Sequence, residues 1–162
     1  MSKDKRIFYK RTTYAVLSVL VMAVIYLFSA QSGAVSGELS GKVGGFLRET
    51  LQIFLPEETV DFLAELIPVR KCAHVFLYLC LGTTVTLFFY TFSFRRQRAY
   101  FLLPILVCFL YACFDELHQT FVTDRTGQFS DVLVDSVGFL TANIILFGIK
   151  KWRRGIDFSD RS

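Results

Sequence analysis

Apolar residues along this chain come in long blocks separated by short polar stretches. The blocks run from about Thr13 to Ala30, Cys72 to Phe92, Ala99 to Phe114 and Val132 to Ile149. A membrane-spanning helix needs roughly 20 mostly apolar residues. Three blocks are near that length. The third is short if it stops at Asp115, so its helix is expected to continue to about Phe121, carrying polar residues into the interface. The predicted spans are therefore residues 13–30, 72–92, 99–121 and 131–149. The first apolar run exceeds a signal peptide's usual stretch, and Phe28 and Ala30 before Gln31 make a poor cleavage site. It is expected to be a retained helix.

The segment between the first two blocks is too long for a bare connection. Leu39, Val43, Phe46, Leu47, Thr50 and Phe54 recur at helical spacing. Pro56 followed by Glu57 and Glu58 looks like a helix start, with acids placed well for the helix dipole. Val60, Leu63 and Ile67 then mark one face. Pro68 ends that helix and begins the second span. Residues 36–67 therefore predict two short amphipathic helices on a membrane surface, or a cap packed on the bundle. The expected fold is all-α: one polytopic membrane domain, a four-transmembrane-helix bundle with amphipathic helices on its outer face.

Charge adds sidedness. Of the 18 Lys and Arg residues, 13 lie before the first block, between the second and third, or after the fourth, with three acids among them. The other side holds five basic and 11 acidic residues, so the two sides carry about +10 and −6. Under the positive-inside rule both termini are expected to be cytoplasmic. This placement also argues against nucleic-acid binding, because the basic residues sit at the ends of apolar blocks and do not interleave with stacking aromatics. The hydrophobic fraction of 53% exceeds the roughly 45–50% of soluble domains, in line with a membrane protein.

On these assignments four polar groups gather on the extracytoplasmic side. Lys71, His74 and Tyr78 stand at helical spacing and share one face. Asp115, Glu116, His118 and Gln119 end the third block. Adjacent carboxylates there offer acid/base chemistry, or they pair with Arg125 or Lys71. Arg125, in a turn-rich segment, suits a carboxylate or phosphate, or a structural ion pair. Asp131 and Asp135 are four apart, with Gly138 on the same stripe and Ser130 as the expected N-cap. Asp135 lies deep in its apolar block, where an ionisable residue is a functional candidate. The candidate catalytic residues are His74, Asp115 and Glu116. The candidate binding residues are Lys71, Tyr78, Gln119, Arg125, Asp131 and Asp135. No metal or cofactor is expected, because no HExxH or comparable spacing occurs. Cys72, Cys80, Cys108 and Cys113 lack CxxC spacing and read as inert buried thiols, with a Cys72–Cys113 disulfide as an unsupported alternative.

Lys71-x-x-His74-x-x-x-Tyr78, Gly82, Asp115-Glu116-Leu117-His118-Gln119, Arg125, Asp131 and Gly138, in this order, resemble the VanZ-like family of bacterial membrane proteins. Phe28 to Gly33 resembles the polar exit of that family's first helix. The resemblance covers most of residues 12–148. The family often has Asn where this chain has Asp135. The resemblance implies about four membrane helices and a link to teicoplanin-type glycopeptide resistance, a phenotype without a reaction. Three functions follow as expectations. The first is an envelope factor binding a lipid head group or cell-wall precursor at the polar site. The second is an intramembrane enzyme on a lipid-linked intermediate, with Glu116 or Asp115 as acid/base, His74 as proton partner, and Lys71 and Arg125 holding phosphate. The third is a structural or assembly partner of other membrane proteins.

Overall fold

The computed structural model describes residues 2–159 except Ile67, Arg95 and Gln97, with no side chains described for Leu66 and 154–159. Six helices follow in order: α1 (Lys3–Ser29), α2 (Gly33–Gln52), α3 (Glu57–Leu66), α4 (Val69–Phe89), α5 (Ala99–Gln119) and α6 (Phe129–Ser159). Among the described residues there is no strand. Four helices are long and apolar enough to cross a membrane: α1, α4, α5 and the Phe129–Arg153 part of α6. Ile67 of the predicted α3 face, and Arg95, Asp160 and Arg161 of the charge count, lie outside the described residues. So do the side chains of Arg154 and Asp157.

The chain runs up and down. The Ser29 end of α1 meets Asp115 and Gln119 at the end of α5, and Lys71 at the start of α4 meets Asp131 at the start of α6. At the opposite end, Arg11 bonds Thr91 just beyond α4, and Lys150 lies over the rings of Tyr90 and Tyr100. Burial pushes the Tyr90 phenol up to about 12. Many large apolar side chains remain exposed on the four long helices, among them Leu27, Phe76, Leu110, Phe114 and Ile144. An apolar exterior of this kind fits a hydrocarbon surround.

Within a bilayer there is little hydrophobic drive between helices, so close packing must hold them together. Two glycines supply it where α4 and α6 meet. A Cβ on Gly138 would overlap the carbonyl oxygen of Val75, and one on Gly82 would sit 2.6 Å from the Cα of Phe139. Around this contact lies a core of Ile25, Tyr78, Leu81, Val85, Cys108, Ala112, Val132 and Phe139. Deeper in, Asn143 of α6 donates to Thr86 Oγ1 of α4 and the Phe101 carbonyl of α5, both at 3.3 Å.

The amphipathic segment forms two helices as expected. Ser32 caps α2, and an Arg48–Asp61 ion pair of 2.6 Å joins α2 to α3. Val60 is buried while Leu39, Val43, Phe46, Leu47 and Phe54 stay exposed. Gly33 anchors the pair, donating its N–H to the Thr123 carbonyl and packing on the Asp124 carbonyl too closely for a Cβ.

Several expected boundaries shift. Helix α1 starts at Lys3 rather than near 13, because Ser2 caps it and a helix continues through basic residues that mark only the membrane edge. Helix α6 begins at Phe129, which removes Ser130 as N-cap; its hydroxyl instead donates to Gln128 Oε1 at 3.3 Å. Helix α5 ends at Gln119, two residues early, in turns through Val122 and Arg125. All four cysteines are free, and Cys72 is exposed rather than buried.

A Gly138→Ala variant tests the α4–α6 contact. It is expected to lose about 1–3 kcal/mol of stability through overpacking, read as a lowered unfolding midpoint in detergent. Gly148→Ala, whose Cβ would meet nothing within 4 Å, is expected to unfold like the wild type.

Candidate functional site

The polar residues of α4, α5 and α6 meet at the Ser29 end of the bundle. They line a cleft formed by Arg70, Lys71, His74, Glu116, Gln119, Arg125, Asp131, Val134 and Asp135, with room for about one water molecule. Seven of the nine sequence candidates line it. Asp115 and Tyr78 lie beneath, both almost completely buried.

The first contact is at the rim. Lys71 and Asp131 stand at the first turns of adjacent helices, and their charges meet at 2.7 Å. This fixes how α4 and α6 enter the membrane. Lys71 therefore does not pair with Asp115 or Glu116, one of the alternatives from sequence.

Arg125 also departs from expectation. Among the described residues it makes no ion pair with a carboxylate. Its Nε donates to the Gln31 carbonyl at 3.1 Å, one terminal nitrogen to the Phe28 carbonyl at 3.3 Å, and the other to Gln119 Oε1 at 3.0 Å. The carbonyls at a helix's carboxyl end have no partner within the helix. Arg125 thus covers the exit of α1 while orienting the Gln119 amide. Burial lowers the Arg125 guanidinium from its ordinary value, and the nearby positive charge of Arg70 adds to this; Asp115 and Glu116 oppose it. An arginine remains charged throughout.

The Gln119 amide nitrogen, turned inward by Arg125, donates to Asp115 Oδ2 at 3.2 Å and Glu116 Oε1 at 3.1 Å. Ser29 donates a second hydrogen bond to Asp115 Oδ2 at 2.8 Å. Glu116 Oε2 accepts the Gln128 backbone N–H at 2.9 Å. That last bond folds the loop back over the end of α5. The fold needs Gly127, because a Cβ there would overlap the Glu116 carbonyl. Asp124, the one described non-glycine residue at positive φ, turns the same loop at φ 57.

The floor is different. His74 Nδ1 of α4 lies 3.8 Å from Asp135 Oδ1 of α6. Asp115 Oδ1, Asp135 Oδ2 and the Tyr78 hydroxyl are buried with no hydrogen-bond partner. Such groups are costly in a water-poor interior. His118, part of the sequence cluster, lies against Tyr26, with ring centroids 4.5 Å apart and planes tilted by 37°. The site thus has a cationic rim, a hydrogen-bonded middle and a floor of incompletely satisfied acids with one imidazole.

Sequence reasoning missed three contributors. Arg70 had a usable signal, since it stands four residues before His74 on the same helix face. Ser29 is 86 residues from Asp115, and its bond had no local sign. Gln128 contributes through its backbone, which residue type does not reveal.

Arg125→Ala should release the exit of α1 and the Gln119 amide together. The expected loss is about 1.5–3 kcal/mol, the worth of hydrogen bonds to a charged group, measured by unfolding in detergent. Arg125→Lys is expected to recover less than half, because one ammonium cannot span three separated acceptors.

A protein-family model described as VanZ/LLP1 matches residues 14–150, which include most of each of the four long apolar helices and every residue of the cleft. No curated protein and no solved structure is similar enough to match.

Proposed function

The chain belongs to the VanZ/LLP1 family, and from that membership we propose that it is a bacterial envelope protein whose cleft binds a phosphate-bearing group: the head of a lipid or of a lipid-linked cell-wall precursor. In this reading the cleft opens on the extracytoplasmic side, both termini are cytoplasmic, and occupancy alters susceptibility to teicoplanin-type glycopeptides. The observation that carries it is the convergence of Arg70, Lys71 and Arg125 on one cleft at the end of a membrane bundle. Arg70 is exposed and has no ion-pair or hydrogen-bond partner among the described residues. Arg70 and Arg125 also repel each other. A phosphate between them relieves that repulsion and accepts charge-assisted hydrogen bonds from both. The exposed apolar face of α2 beside the cleft suits contact with the surrounding lipid.

A second reading, acid/base chemistry on a lipid-linked intermediate, draws on the buried carboxylates and His74 beneath the rim. In that reading Glu116 or Asp115 exchanges a proton with the substrate and His74 is the proton partner. The two readings differ in which residues matter.

The test uses the full chain in nanodiscs, titrated with short-chain phosphatidylglycerol and with a water-soluble lipid-linked peptidoglycan precursor analogue. Wild type is expected to bind at least one of them with salt sensitivity. Arg70→Ala and Lys71→Ala are each expected to weaken binding about tenfold, the effect of about 1.4 kcal/mol. The same variants, expressed at matched abundance in a sensitive Gram-positive host, are expected to lose any tolerance to teicoplanin that wild type confers. Binding unaffected by both substitutions would refute the cleft as the site. Loss of tolerance in Glu116→Gln, with abundance and binding intact, would favour the enzymatic reading.

A further inference from the structure

The floor of the cleft carries more negative charge than its neighbours neutralise. Asp115 and Asp135 are 1% and 2% exposed, in a segment where hydrocarbon, not water, surrounds the bundle. Two of the three cations that line the cleft are committed elsewhere. Lys71 is held by Asp131, and Arg125 by two backbone carbonyls and Gln119. Arg70 stays exposed at the rim, and among the described residues His74 is the ionisable nitrogen set against the floor, 3.8 Å from Asp135. Two carboxylates buried this way need a proton or a cation between them.

The geometry favours a cation. One ligand atom each from His74, Asp115 and Asp135 lies within 4.8 Å of the other two. Three different helices supply them, and the tight α4–α6 contact at Gly138 brings His74 and Asp135 together. In a tetrahedral site with bonds of about 2.1 Å, ligand atoms stand about 3.4 Å apart, so side-chain movements of about 1 Å would close this one.

The surrounding bonds fit the same reading. Ser29 and Gln119 both donate to Asp115 Oδ2, which fixes the carboxylate and leaves Oδ1 without a partner. Supporting bonds of this kind orient a metal ligand and leave its coordinating atom free. Independently of the acids, the Tyr78 hydroxyl, one turn below His74 on α4, is fully buried and has no partner. It could serve as a further oxygen ligand or as a donor to a metal-bound carboxylate.

We propose that His74, Asp115 and Asp135 form a binding site for a divalent transition-metal ion, zinc in the first instance, beneath the cationic cleft. One imidazole with two carboxylates and no thiolate suits zinc, manganese or ferrous iron more than copper(I) or calcium. The cleft gives the ion its way in. Asp135 completes this ligand set, whereas an asparagine at that position would supply only a neutral oxygen. The site stands apart from the head-group reading, because the ion is held by protein atoms alone and can be measured without lipid.

The experiment uses the full chain purified in detergent, stripped with EDTA and titrated with zinc chloride by calorimetry, with bound metal counted by elemental mass spectrometry. Wild type is expected to hold close to one zinc per chain. Asp135→Asn and His74→Gln are expected to weaken zinc binding by at least about 100-fold, and the supporting variant Ser29→Ala by about 10-fold. Gly148→Ala, remote from the site and with nothing within 4 Å of the added Cβ, is expected to keep its zinc. A wild type that takes up no zinc overturns the site, and the carboxylates then share a proton. Equal zinc content in wild type, Asp135→Asn and His74→Gln also overturns it. Should those variants aggregate, cobalt(II) added to stripped wild type decides. Visible bands of a nitrogen and oxygen site without thiolate absorption in the near ultraviolet support the proposal. No bands, or a thiolate band, defeat it.

Discussion

Everything at the polar end of this bundle depends on how closely α4 and α6 can approach. Gly138 lets the α4 backbone pass where a methyl group would collide with the Val75 carbonyl. Gly82, about one turn deeper, does the same against Phe139. Spaced apart by ordinary side chains, the two helices would leave His74 and Asp135 on separate surfaces, each exposed to lipid. Pressed together, they put an imidazole and a carboxylate within a few ångströms. Lys71 and Asp131 then pin the same pair of helices one turn above. The steric freedom of two glycines thus sets an electrostatic arrangement.

Water scarcity explains the rest of the architecture. A polar group in the bundle can be satisfied only by another part of the chain. Ser29, Gln119, Glu116 and Gln128 answer one another in a connected set spanning α1, α5 and the loop before α6. Arg125 ties that set to the exit of α1. The middle layer of the site is well satisfied and serves to hold shape. Three unsatisfied atoms, Asp115 Oδ1, Asp135 Oδ2 and the Tyr78 hydroxyl, lie on one floor beside His74. That separation of roles within a small cluster is more informative than the number of polar residues in it.

The sequence carried the architecture further than it carried the site. Hydrophobic blocks alone placed four long helices, since length and apolarity are what a bilayer demands. Helix ends were less legible: charge shows where a membrane stops, but α1 and α6 continue well beyond that point. At the site, contacts within one helix were readable from spacing, as with Asp115 and Gln119. Contacts across the bundle were not, because Ser29 and Asp115 meet only once α1 packs beside α5. The protein contacts of Arg125 were illegible for a related reason. Its charge suggested a carboxylate partner, while its position over an open helix end gave it carbonyl oxygens. Tyr78, a binding candidate from its spacing, lies within the core beneath the cleft, a depth that spacing alone does not reveal.

The clasp between Arg125 and the exit of α1 joins residues 94 and 97 positions apart. On a chain made from its amino end, α1 is complete long before Arg125 exists. Until the loop after α5 arrives, the Gln31 carbonyl lacks the Arg125 Nε, and the Phe28 carbonyl has only the neighbouring Ala30 and Gln31 N–H groups. The Ser29 hydroxyl likewise waits for Asp115. Helix α1, made before α4, α5 and α6, is therefore secured at this end only after α5 is complete. Completion of the cleft therefore waits on the last part of the chain to be made, the loop after α5 and the start of α6.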